Sequence, residues 1–140
     1  MNAERFLEQY EKLSAIVETK QQRIYSLYDR ETSITVQSFS ERVQSSGSKQ
    51  KMADATCERL DLKQELENEI VLLEEKRKEI ERVLECLPTA EYKVLYKRFI
   101  EMKELYIIAD EVRKSYSWVS KKKSRGLKHV QEILDEREKR

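Results

Sequence analysis

Two runs of residues spaced alternately four and three apart decide what this chain can fold into. Phe6, Tyr10, Leu13, Val17, Lys20, Ile24 and Leu27 make the first; Leu66, Ile70, Leu73, Arg77, Ile80, Leu84 and Leu87 make the second, with Leu62 extending it. A heptad seam lays one narrow apolar stripe along a helix, and the stripe must be buried against another helix. Helices are therefore expected over about 3–28 and 52–85. Two glycines and one proline in 140 residues leave few breakers, which favours long helices over sheets. The expected class is all-α: a long antiparallel coiled-coil-like helical hairpin followed by a small C-terminal helix-turn-helix domain. Heptads do not choose between pairing within a chain and pairing between chains, so a homodimer through these helices stays open. Lys20 interrupts the first seam; its aliphatic stem can follow the stripe while the ammonium reaches water.

Between the seams, residues 31–51 hold six serines, two threonines and Gly47 with no clear period. They are expected to form a mobile loop, with Phe39 and Val43 free to dock on a neighbour. The domain reading is thus a hairpin over 1–86 and a second module over 87–140, divided at Pro88.

The second module carries the functional signal. Leu105, Ile108, Ala109 and Val112 fall on one face of a short helix. Ser115 then stands where an N-cap belongs, able to accept from the backbone N–H of Ser117 or Trp118. A second helix follows, with Val119, Lys123, Gly126, Leu127, Val130 and Leu134 along its inner face. From Arg113 to Lys128 there are seven basic residues and no acidic one. Net charge is +1, but the mean hides a partition: 52–86 hold 11 acidic and 6 basic residues, and 87–140 hold 14 basic and 9 acidic. Two short helices around a tight turn, the second basic at its start, can present a recognition helix to a DNA major groove. A solvated lysine run on ordinary core helices is the plainer alternative.

Other classes find less support. No acid–base pair, glycine-rich phosphate loop or nucleophile–histidine pairing is brought together by periodicity, so no enzyme, catalytic residue or cofactor is expected. Cys57 and Cys86 are isolated, which argues against a zinc site or disulfide framework and fits a reducing cytosol. The charged N-terminus does not read as a signal peptide, and no apolar run is long enough to span a bilayer. His129 is expected on the outer, solvated side of the last helix.

The stretch LPTAEYKVLYKRFIEMKELYIIADEVRKSYSWVSKKKSRGLKHV resembles the promoter-reading fourth region of bacterial sigma factors. The order of parts resembles short transcription regulators of phages and prophages of Gram-positive bacteria, including the ArpU-like late-gene regulators. The likeness is strongest over about the last 50 residues. It implies double-stranded DNA as partner, RNA polymerase as a second one, and a place in the bacterial cytoplasm near the nucleoid. Carried onto this chain, the residues after the recognition-helix cap are the DNA contacts: Tyr116, Ser117, Trp118, Ser120 and Lys121, with Arg125 further along. Lys114, Ser115, Lys122 and Lys128 complete the expected surface. Trp118 has two places to go, against the first motif helix or onto the DNA backbone. The sequence departs from the family pattern at three positions. Arg113 occupies the turn where glycine or asparagine is commoner, Lys122 an apolar position, and Gly126 an alanine position. Two other readings remain: a phage small terminase, which also joins a helix-turn-helix to oligomerising helices, and a coiled-coil adaptor without DNA binding.

Overall fold

The computed structural model describes the backbone of residues 1–40 and 46–140, and their side chains outside 31–40 and 46–49. The described chain is helical without a strand: α1 (Ala3–Ser40), α2 (Ser46–Leu84), α3 (Thr89–Leu95), α4 (Leu105–Val112) and α5 (Tyr116–Glu138). A π-helical turn, Tyr96–Ile100, continues α3. The chain forms two compact units: Ala15–Leu72, and Met1–Ser14 together with Leu73–Arg140.

In the first unit, α1 and α2 pair antiparallel. Lys20 Nζ lies 3.0 Å from Glu69 and 3.7 Å from Glu65, and Arg23 lies 3.0 Å from Glu58, so rising numbers on one helix meet falling numbers on the other. Val17, Leu27 and Ala55 are buried between them. Lys20 fills its seam position by ion pairing as well as by its stem. Half-buried Glu69 turns inward to meet it, and Ile70, expected on the seam, is 40% exposed.

The expected loop over 31–51 is mostly helix: α1 runs on to Ser40 and α2 begins at Ser46. Serine, threonine and valine are modest helix formers, but extending an existing helix costs far less than nucleating one. Val43, the linking residues 41–45 and the side chain of Phe39 lie outside the described residues.

The second unit is a bundle assembled from both ends of the sequence. Its main core joins Ala3, Phe6 and Leu7 of α1 to Ile80, Val83 and Leu84 of α2, to Leu95, Phe99 and Ile100 around the π turn, and to Val130 and Leu134 of α5. The expected division at 86/87 therefore falls inside one compact unit. Residues 87–140 taken alone would lose Ala3, Phe6, Leu7, Ile80, Val83 and Leu84 from the core that holds Val130 and Leu134. The start of α1 is fastened locally and at a distance. Asn2 Oδ1 accepts from the Glu4 N–H at 2.8 Å, and the Ala3 N–H donates to Gln131 Oε1 on α5 at 2.8 Å.

Two further details position α5. Pro88 precedes α3 in an extended conformation, and its carbonyl accepts from the Tyr92 N–H at 2.9 Å. Thr89 makes no side-chain cap there. The π turn then shifts the helical phase, so that consecutive Phe99 and Ile100 both point inward. Met102, two residues after the π turn, is 38% exposed with a left-handed φ of 57°. Glu91 is buried, and His129 Nδ1 lies 2.5 Å from its Oε2. His129 thus ties α5 to α3 while its side chain stays 43% exposed to solvent.

Candidate nucleic-acid interface

The turn between α4 and α5 is fixed at both ends by backbone chemistry. Arg113 adopts a left-handed conformation, φ 57° and ψ 44°. The Lys114 N–H then reaches back to the Ala109 carbonyl at 3.0 Å, and the Arg113 N–H to that of Asp110 at 3.3 Å. This paired return is a Schellman closure, normally built with glycine at the left-handed residue. Arginine takes the left-handed conformation here without glycine's freedom, so the residue unusual for this turn carries a backbone cost. On the other side Ser115, extended at φ −71° and ψ 156°, accepts from the Trp118 N–H through its hydroxyl at 3.1 Å. α5 therefore starts at a defined residue, and its first-turn side chains have defined directions.

Below the turn, Ile108 and Ala109 of α4 pack with Val119 of α5 and Val94 of α3. Leu105, Val112 and Trp118 cover this small cluster. Along α5, Val119, Gly126, Val130 and Leu134 are buried. Gly126 is small for a measurable reason: a Cβ there would lie 2.7 Å from Leu95 Cδ1 and 3.1 Å from its Cγ. The sequence-expected inner face is reproduced, with Lys123 and Leu127 half-buried at its margins.

The face turned away from this core carries Ser117, Lys121, Ser124 and Lys128, all exposed and spaced by four, three and four residues. Arg125 is exposed beside them, and Tyr116 is 57% exposed at the first position of the helix. Lys114 and the capping Ser115 are exposed just before it. Ser120 and Lys122 are half-buried on the flanks. Among the described residues, no carboxylate lies within ion-pairing distance of Lys114, Lys121, Lys122, Arg125 or Lys128. The lysines behind them are handled differently. Lys97 and Lys103 converge on Glu111 at 3.0 and 2.7 Å, and Lys103 also reaches Glu101 at 3.0 Å. The hydrogen bonds from Lys103 and then Lys97 hold the Glu111 carboxyl below its ordinary range.

Trp118 takes the first of the two places open to it, against the first motif helix. One side of the indole covers the α4 cluster. Lys114 Nζ and Lys122 Nζ each sit 5.6 Å from the ring centroid. Lys122 follows Trp118 by four residues, one turn along α5, and Lys114 reaches the ring from the turn before the helix. Lys122, unusual for its position in the sequence pattern, thus has an aromatic partner.

The structure also adds a residue that sequence reasoning did not single out. Lys93 of α3 is exposed and lines a cleft of about 610 Å³ with Lys97, Lys114, Glu111 and Trp118. Its only sequence signal was a lysine on the outer side of the helix preceding the motif. No protein-family model, curated protein or solved structure matches the chain.

Proposed function

We propose that this protein is a sequence-specific DNA-binding transcription regulator of the phage and prophage kind, reading a major groove with the start of α5. The observation that carries the reading is the exposed stripe of Ser117, Lys121 and Lys128, unpaired with any carboxylate among the described residues, on a helix whose start is fixed by Ser115. A recognition helix needs its groove-facing residues at its beginning, its orientation fixed, and its charges available to phosphates and base edges. Lys121 is assigned to a guanine edge, with Ser117 one turn before it. Lys128 and Arg125 face the backbone on either strand. No helix among the described residues is long and apolar enough to cross a membrane.

The test is selection of a preferred duplex from a random pool by the full chain, followed by titrations of wild type and Lys121→Ala. On the preferred site the substitution should cost about 1–3 kcal/mol, and much less on random DNA, if Lys121 reads a base. Equal losses on both duplexes would make Lys121 a phosphate contact and overturn the assigned register. Absence of binding to any duplex at low salt would overturn the reading itself and leave a helical adaptor.

A further inference from the structure

We propose that the cleft between α3 and the start of α5 is a second nucleic-acid contact: a seat for the phosphodiester backbone, with Trp118 holding Lys114 in its wall and Lys122 beside it. The proposal rests on the reading of α5 as a DNA-binding helix but concerns a different surface, and it adds Lys93.

Three lysines line this cleft: Lys93 of α3, Lys97 of the π turn and Lys114 of the turn before α5. Lys122 of α5 stands outside the lining and reaches the same indole. Long lysine side chains ordinarily lose much rotamer freedom when they grip an anion. Here the indole face attracts Lys114 and Lys122, so part of that ordering precedes binding. The one carboxylate in the cleft, Glu111, already faces Lys97 and Lys103, which leaves the cleft net positive.

The remaining walls choose the class of anion. Ala90, Val94 and Val112 give the cleft an apolar side, and its volume of about 610 Å³ exceeds what a single phosphate occupies. Cations beside carbon surface suit a phosphate attached to a sugar. The base-reading stripe of Ser117 and Lys121 lies around the helix from Trp118, so the same strand can be read on one face and held on the other. Trp118 is accordingly a positioning residue, acting through Lys114 and Lys122.

The test uses the full chain and two probes, a random-sequence duplex and tripolyphosphate, which presents phosphates without bases. Trp118 is the one tryptophan in the sequence, so its emission reports on the cleft directly. Tripolyphosphate should change that emission saturably. Lys93→Ala should weaken tripolyphosphate about fivefold, as loss of one exposed ion contact implies, while Lys78→Ala, a distant lysine of α2, serves as the charge control. On the duplex, Lys93→Ala should lower the salt slope by about 0.9. By calorimetry, Trp118→Phe should retain tripolyphosphate binding because it keeps an aromatic face. Trp118→Leu, with helicity intact, should lose roughly 5–30-fold, as the cost of ordering two freed lysine side chains on binding predicts. Tripolyphosphate without effect on Trp118, or Lys93→Ala matching Lys78→Ala, would overturn the seat even if duplex binding stands. A tripolyphosphate response without duplex binding would overturn both the groove-reading role and the phosphodiester seat and leave a small-polyanion site.

Discussion

Replacing Gly126 by alanine should change the sign of its effect according to what stands at position 95. Glycine in a helix interior is about 0.8–1.0 kcal/mol less favourable than alanine, so the substitution gains that much from the backbone. Against it, the new Cβ arrives 2.7 Å from Leu95 Cδ1 and 3.1 Å from Cγ. Leu95 is fully buried, so its side chain has no open direction in which to swing away. Overpacking of this kind costs about 1–3 kcal/mol. The two effects together make Gly126→Ala destabilising by up to about 2 kcal/mol. Leu95→Ala alone should cost about 2–5 kcal/mol through the cavity it leaves. Once Leu95 has been shortened, the clash is gone and only the helix gain remains. Gly126→Ala in that background should therefore stabilise by about 1 kcal/mol, giving a coupling of about 1–3 kcal/mol across the cycle. Urea unfolding followed by circular dichroism, with unchanged m values, measures all four corners. If Gly126→Ala stabilised both backgrounds equally, the close approach of α3 to α5 at this point would be refuted.

Two other perturbations test the turn and the ion network. Arg113→Gly should raise stability by about 0.5–1 kcal/mol, because a left-handed conformation costs a non-glycine residue about 1–2 kcal/mol and glycine returns part of that as entropy; a lower thermal midpoint would contradict the left-handed turn. Lys103 and Lys97 hold the Glu111 carboxyl below its ordinary value of 4.5. Its contribution to stability is therefore present above that value and disappears as pH falls through the depressed one. The stability difference between wild type and Glu111→Gln should be constant from neutrality to about pH 5 and shrink on further acidification, and a difference that grew in acid would have the wrong sign.

Much of this arrangement could be read from local spacing. The seams placed Phe6, Val17, Leu27, Ile80 and Leu84 inward, and the Ser115 cap and the α5 inner face followed from single-helix rules. What spacing could not supply was partnership between distant segments. Nothing near His129 in sequence announces Glu91, and nothing near Val130 announces Phe6, since both depend on how helices meet. The Ser-rich stretch misled for a related reason: composition reports intrinsic preference, whereas α1 and α2 extend into it from long helices already formed. The π turn was also invisible, because one extra residue in a turn leaves no mark on a 3.6-residue pattern. The unusual residues were better guides than the regular ones. Arg113, Lys122 and Gly126 broke the expected pattern, and each corresponds to a particular feature: a left-handed turn, an aromatic partner and a close helix approach.

The bundle's discontinuous make-up has a consequence for the order in which the chain acquires structure. Phe6 and Leu7 are fully covered only once Val130 and Leu134, at the far end of this core in sequence, are in place, so the start of α1 is among the last parts of the bundle to settle. Joining Met1–Ser14 to Leu73–Arg140 closes a loop of roughly 60 residues, an entropy cost of about 3–4 kcal/mol for a flexible chain. If Ala15–Leu72 first pairs on itself, antiparallel, the loop is short-circuited: Lys20 against Glu69 brings the two strands of the chain together near the ends of the insertion. The acidic and basic charges of that pairing then act as a kinetic clasp. Charge reversal at Lys20, a residue of the other unit, should slow refolding of the bundle.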